Sequence, residues 1–433
     1  MRSTRRFPRV AALTAAGLSI AACGGVAVEV DVMGTIAREY VDLVLAVGEH
    51  DDGYVDAYYG PAEWREAIRE AVPPLDQIER RAAAAIDTLA STPHPADELG
   101  ALRHEYLGRQ LEALAARVAM LEGEVFDFDT ESRLLYDAVA PHHEEAYFAE
   151  RIAALESLLP GEGPILDRYN AYRDRFLIPA DRLDVVFQAA IDECRRRTLE
   201  HLELPADESF RLEYVTDKPW SGYNWFQGGH ESLIQVNAEL PVQLDRAVDL
   251  ACHEGYPGHH TYNVLLEWRL VEERGWVEYS VYPLYSPQSL VAEGSANYGI
   301  EMAFPGEERV RFEREVLAPL AGIEPETVAG YSAVREVADG LSYAGNEAAR
   351  RYLNGEIDAA EAAKWLERFA LSSPERAAQR IRFFDTYRSY VINYNLGKDL
   401  VRAWIERGDP TPAERWERFT ALLSSPRLPS GLR

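Results

Sequence analysis

Leu244-Asp245-Arg246-Ala247-Val248-Asp249-Leu250-Ala251-Cys252-His253-Glu254-Gly255-Tyr256-Pro257-Gly258-His259-His260 is the stretch from which this chain is best read. Leu244, Val248, Leu250 and Ala251 recur at helical spacing behind Pro241, a residue suited to a helix's first turn, so the pattern predicts a helix that carries His253 and Glu254. Pro257 and Gly258 interrupt it. Proline removes a backbone donor and disfavours helix at Tyr256, while glycine tolerates unusual dihedrals. On an unbroken helix His260 would stand roughly 10.5 Å along the axis from His253, and His259 would point to the far side. If Pro257 and Gly258 bulge out, the six-residue separation behaves as four, and His253 and His259 share a face.

Two imidazoles so placed, with a carboxylate directly after the first, suit a hydrolytic zinc site. Such a site needs three protein ligands, an open position for water and a carboxylate to take that water's proton. The expected ligands of one zinc ion are His253, His259 and, from a separate helix in Ala292-Glu293-Gly294-Ser295-Ala296-Asn297-Tyr298, Glu293. Glu254 is the expected general base. Asn297, one turn past Glu293, is placed to hydrogen-bond a ligand, and His260 to touch a ligand or substrate. Isolated histidines and His-Glu pairs are usually solvated surface, which is how His142-His143-Glu144-Glu145 and His230-Glu231 read. The segment 253–260 differs in holding three histidines and a carboxylate around a helix-breaking Pro-Gly.

Outward from this segment, residues 34–201 read as almost wholly helical, as in Ala96–Leu121, where Leu99, Leu102, Leu107, Leu111, Leu114 and Val118 fall along one stripe. Breaks at Pro73-Pro74, Pro93, Pro141, Pro160-Gly161 and Pro179 divide this part into about seven helices. Between 202 and 241 the texture changes. Phe210 to Tyr214 and Leu233 to Asn237 alternate like strands, and the aromatic, glycine-rich segment Lys218–Gly229 reads as a loop lining a site. Trp225 in that loop and Asn237 on the second strand are candidate substrate contacts, the strand being able to pair with an extended peptide. Ser286-Pro287 starts the helix that carries Glu293, helices continue to about Leu423, and 426–433 reads as a fraying tail. The expected organisation is an N-terminal helical lobe over 34–201 and a metal-site lobe over 202–425.

With 433 residues and 47% hydrophobic composition, the chain can bury a large core. Its net charge of −27 would repel nucleic acid, and three lysines do not make a polybasic membrane surface. Residues 1–23 read as an export signal: Arg2, Arg5, Arg6 and Arg9, then an apolar run to Ala22, then Cys23. Ile20-Ala21-Ala22-Cys23 resembles a bacterial lipoprotein signal, with Cys23 the lipid-anchored first residue and the anchor the one contact with membrane. Translation from Met33 would instead leave a cytoplasmic protein. Cys194 and Cys252 read as buried thiols rather than a disulfide framework.

His253 to His260 followed by Glu293 to Tyr298 resembles the bacterial domain-of-unknown-function 885 family. The likeness extends over most of the chain after the signal, to Tyr54-Val55-Asp56-Ala57-Tyr58-Tyr59-Gly60-Pro61, Lys218-Pro219-Trp220, Tyr387-Arg388-Ser389-Tyr390 and Asn393-Tyr394. The family resembles the gluzincin class of mostly helical metallopeptidases, and its HExxPGH and EGxAxY motifs fall on His253, Glu254, His259, Glu293 and Tyr298. Ser295 departs from the tryptophan of many relatives. The resemblance implies a mainly α, two-lobed metallopeptidase-like fold with a small β element and a central cleft, acting on a peptide or small amide. Such an enzyme needs a donor for the oxyanion, and Tyr387, Arg388, Tyr390 and Tyr394 are the candidates. The tyrosines' spacing is also that of a structural stripe, and Arg388 could instead hold a substrate carboxylate. The competing readings are an amidase or esterase with the same metal, and a lipid-anchored binding protein without catalysis.

Overall fold

The computed structural model describes residues 31–218, 220–239 and 241–433; the signal segment and Cys23 lie outside them. Among these residues the chain is mainly helical with two small sheets. No helix among them is long and apolar enough to cross a membrane. The proline breaks fall between helices as their chemistry requires: Leu75–Ser91 begins after Pro74, Glu145–Leu158 after Pro141, and Leu183–Leu199 after Pro179. Asp97 caps Glu98–Leu121 by accepting from the Gly100 amide at 2.9 Å. The expected stripe faces inward, with Leu107, Leu111, Leu114 and Val118 fully buried.

Strand β1 (Val55–Tyr58) was not expected within the helical first half; it pairs antiparallel with β5 (Val281–Pro283). Strands β2 (Ser209–Val215), β3 (Gly222–Gly228) and β4 (Glu231–Asn237) form the second sheet, in the order β2-β4-β3. Most of the segment expected as a loop is therefore β3. It reverses into β4 through Gly228, Gly229 and His230, all at positive φ. Because β4 is the central strand, parallel to β2 and antiparallel to β3, it has no free edge for a peptide, and the expectation that it would pair with one is corrected.

The core does not divide at residue 201. One apolar cluster joins Tyr40, Leu111 and Phe148 to Tyr262, Tyr298, Tyr390 and Phe419, while the other joins Phe187 and Cys194 to Cys252, Tyr256 and Tyr331. The long amphipathic helices bury their stripes against whichever face is nearest, so the chain crosses between clusters repeatedly. Helix Pro287–Ala303, started by Ser286 with proline in its first turn, is almost wholly buried. It crosses helix Ile392–Ile405 in direct backbone contact, since a Cβ on residue 294 would lie 2.4 Å from the Gly397 carbonyl carbon. The tail does not fray: Leu428 and Leu432 are buried, and the Ser430 amide donates to Asp137 at 2.9 Å.

Candidate metal centre

The helix Leu244–Leu250 widens at Ala251–Gly255 into a π-turn, leaves helical geometry at Tyr256, and a new helix, His259–Leu266, begins three residues later. The expected two-residue bulge is thus a full break between two helices. Gly258 closes it. Its N–H donates to the Cys252 carbonyl at 2.9 Å, and a Cβ there would lie 1.9 Å from the His253 carbonyl oxygen. Only glycine lets the chain return so tightly, which sets His259 beside His253.

Nε2 of His253 and Nε2 of His259 stand 3.1 Å apart. Oε2 of Glu293 lies 3.3 Å from the first and 3.7 Å from the second. Ligands bound at about 2.0–2.1 Å around a tetrahedral ion are roughly 3.3 Å apart, so this triangle has the size of one face of such a tetrahedron. Glu293 Oε2 is buried without a hydrogen-bond partner, and two ring nitrogens face it; a cation would satisfy all three. The outer atoms are already fixed. His253 Nδ1 meets Asn297 Oδ1 at 3.1 Å, Asn297 Nδ2 donates to the Tyr394 carbonyl at 3.2 Å, and the Tyr390 hydroxyl donates to Glu293 Oε1 at 2.9 Å. The side chains of His253, His259 and Glu293 keep 14, 14 and 9% exposure, so solvent still reaches the triangle.

Charge follows from that packing. Burial alone would raise the Glu293 carboxyl, but the facing imidazoles of His253 and His259 carry it well below the carboxylate range. Burial alone would depress His259, and Glu293, with Glu254 and Asp56 behind it, carries its pKa up to about 9. Glu254 is buried on the π-turn beside His253, against the first residue of β3: a Cβ on Gly222 would lie 3.0 Å from Glu254 Oε1. Asn224 of the same strand donates to the Glu254 carbonyl at 2.7 Å.

Asp56 of β1 is a site residue that the sequence reading left without a role. It is half-buried, accepts a hydrogen bond from the Tyr223 hydroxyl, and lies in the field of His259, Glu293 and Glu254. Burial pushes its carboxyl up to about 6. The available signal was the stretch Tyr54–Pro61, which carries an acid among aromatics.

Tyr387 and Tyr394 are half-buried with hydroxyls not spent on hydrogen bonds to the described residues. Burial raises both phenols, so they remain donors at neutral pH. Tyr387 feels the charge of Asp56, and Tyr394 those of Glu293 and Glu254. Trp225 is 42% exposed on the face of β3 that also carries Tyr223, and their rings are 4.5 Å apart.

Four expected site residues have other work. His260 is fully buried between Ser232 Oγ at 2.8 Å and Glu208 Oε2 at 3.0 Å, because the residue after His259 on a helix turns toward the sheet. Tyr298, five residues past Glu293 and so on another face of the helix, donates to Glu406 at 2.6 Å and packs on Phe419. Asn237 donates to the carbonyls of Lys218 at 3.0 Å and Trp220 at 3.3 Å, bracing the turn into β3. Arg388 follows the end of its helix at φ 50° and donates through Nε to the buried Glu131 at 2.7 Å. A further correction concerns the cysteines: Cys194 and Cys252 form a disulfide, with Cα atoms 5.6 Å apart, tying helix Leu183–Leu199 to the residue before His253.

No protein-family model and no curated protein matches this chain. Among solved structures, it is similar to a candidate lipoprotein of Colwellia psychrerythraea at a TM-score of 0.51 and 13% identity, covering 92% of this chain and 74% of that one. A candidate lipoprotein of unknown function from Shewanella oneidensis gives 0.46 and 12%, covering 85% and 75%. The first likeness is one of fold alone.

Proposed function

We propose that this protein is a zinc-dependent hydrolase that cleaves peptide bonds. The observation that carries the reading is the triangle of His253, His259 and Glu293, sized for one divalent ion, with the Glu254 carboxylate on the adjoining turn. Those three residues would hold the ion, which when bound supplies Lewis acidity and an acidified water. Glu254 takes the water's proton and returns it to the leaving amine, so no acyl-enzyme forms. Tyr394 and Tyr387 donate to the oxygen that gains charge in the transition state. Asn297 and Tyr390 hold the ligands' outer atoms, which fixes the histidine tautomer and the carboxylate's orientation.

The same reading includes a lipid anchor at Cys23 and an extracytoplasmic location. The Cys194–Cys252 disulfide supports export over translation from Met33, because such bonds persist in oxidising compartments.

The test is Glu254→Gln. Peptide turnover is expected to fall by a factor of about a hundred or more, in the range of general-base loss, while zinc stays bound at one ion per chain. Unchanged turnover removes Glu254 from the mechanism. Wild-type protein that hydrolyses small amides or esters but no peptide transfers the metal chemistry to a non-peptide substrate.

A further inference from the structure

Several buried or half-buried arginines of this chain, such as Arg103, Arg350 and Arg388, are paired with an acid. Helix Pro374–Tyr387 departs from that beside the metal centre. Arg376, Arg380, Phe383 and Tyr387 fall at intervals of four, three and four residues, which puts them on one face. The stripe is continuous: Tyr387 and Phe383 ring centroids are 4.8 Å apart, and the Arg380 guanidinium lies 4.5 Å from the Phe383 centroid and 5.6 Å from that of Phe384. Arg380 has no acidic partner among the described residues, and Tyr394 is the one titratable group whose charge it feels. The Tyr387 ring in turn lies 6.1 Å from that of Tyr390, whose hydroxyl donates to Glu293 Oε1 at 2.9 Å, so the stripe leads from the metal centre to Arg380.

Positive charge continues outward from there. Arg376, one turn earlier and open to solvent, lies in the field of Arg173 on helix Ile165–Asp174 and Arg246 on helix Leu244–Leu250. The acids nearby are engaged: Asp249 by Arg309 at 2.7 Å and Arg246 at 3.2 Å, Asp245 by Tyr331 at 2.7 Å. Asp174 and Tyr169 partly offset the repulsion at Arg376. Burial lowers the pKa of the half-buried Arg380, an unfavourable arrangement that a bound anion would relieve.

We propose that Arg380, with Arg376 beyond it, forms a subsite for the carboxylates of an acidic peptide substrate. It rests on the hydrolytic reading of the same centre and narrows its substrate class. A carboxylate suits a planar guanidinium whose rear face is already held by an aromatic ring. The group bound is either the peptide's C-terminal carboxylate or an acidic side chain.

The experiment uses the full chain loaded with zinc and carrying Glu254→Gln, so that binding is read without turnover. Three peptides of one length are titrated: neutral with a free C-terminus, neutral with an amidated C-terminus, and amidated with glutamates in place of glutamines. A free or acidic peptide is expected to bind about tenfold or more tightly than the neutral amidated one. That preference should vanish in Arg380→Ala and return in part in Arg380→Lys, whose smaller change also guards against misfolding. Preference for the free neutral peptide identifies the C-terminal carboxylate, and preference for the glutamate peptide identifies acidic side chains. Equal affinity for all three, no binding of any, or a preference untouched by Arg380→Ala overturns the subsite. Arg380-dependent binding in a protein whose wild type cleaves no peptide keeps the subsite and overturns the hydrolase.

Discussion

His259 and His260 are neighbours in sequence with opposite surroundings. One faces Glu293 at 3.7 Å with solvent access, and the other is sealed between Ser232 and Glu208. His259→Ala is expected to lose zinc from a folded protein. His260→Ala should keep the metal and lose about 1–3 kcal/mol of stability, because it strands buried partners. Zinc stoichiometry and urea melts of the two variants check this, and the reverse ranking would reassign the ligand. Asp56 makes a pH prediction. Its folded-state pKa of about 6 lies above the ordinary 3.8, so the native protein holds a proton that the unfolded chain has released. The stability of metal-free protein should therefore fall as pH rises from about 3.8 to about 6 and level off above. Asp56→Asn should flatten that slope, and an unaltered profile of melting temperature against pH would show that Asp56 does not cause it.

Two glycine contacts set the elements that carry His253, His259 and Glu293. Gly294 meets Gly397 where helices Pro287–Ala303 and Ile392–Ile405 cross, one residue from Glu293. Gly294→Ala must push the two backbones apart. A loss on the order of 2–3 kcal/mol is expected, with weaker zinc binding, since Glu293 shifts with its helix. Gly258→Ala meets the His253 carbonyl at 1.9 Å and should weaken zinc binding more than it lowers stability, because the strain falls at the turn that aligns the imidazoles. Zinc titration beside denaturant melts separates the two effects; equal losses in both would mean that the turn serves only the fold.

At the scale of the whole molecule, the disulfide closes a loop of 58 residues between the second core cluster's helix and the turn that carries His253. Reduction, or Cys194→Ala, is expected to lower stability by up to about 4 kcal/mol, the loop-entropy value for that length. Denaturation with and without reductant measures it, and identical curves would mean that the thiols are free.

Much of this could be read in the chain itself, because the signals were local. Helical periodicity, proline breaks and the Ser286-Pro287 start depend on neighbours within a turn or two, and so did the prediction that Pro257-Gly258 would bring His259 rather than His260 toward His253. What only the tertiary structure decided involves partners far apart in sequence. Asp56 reaches the site because β1 pairs with β5, Arg388 is bound to Glu131, Cys194 bonds Cys252, and β4 is central because β2 lies beside it. Residues fixed by backbone sterics within a few positions announce themselves in order along the chain. Residues fixed by which helix crosses which do so only once the core has closed around them.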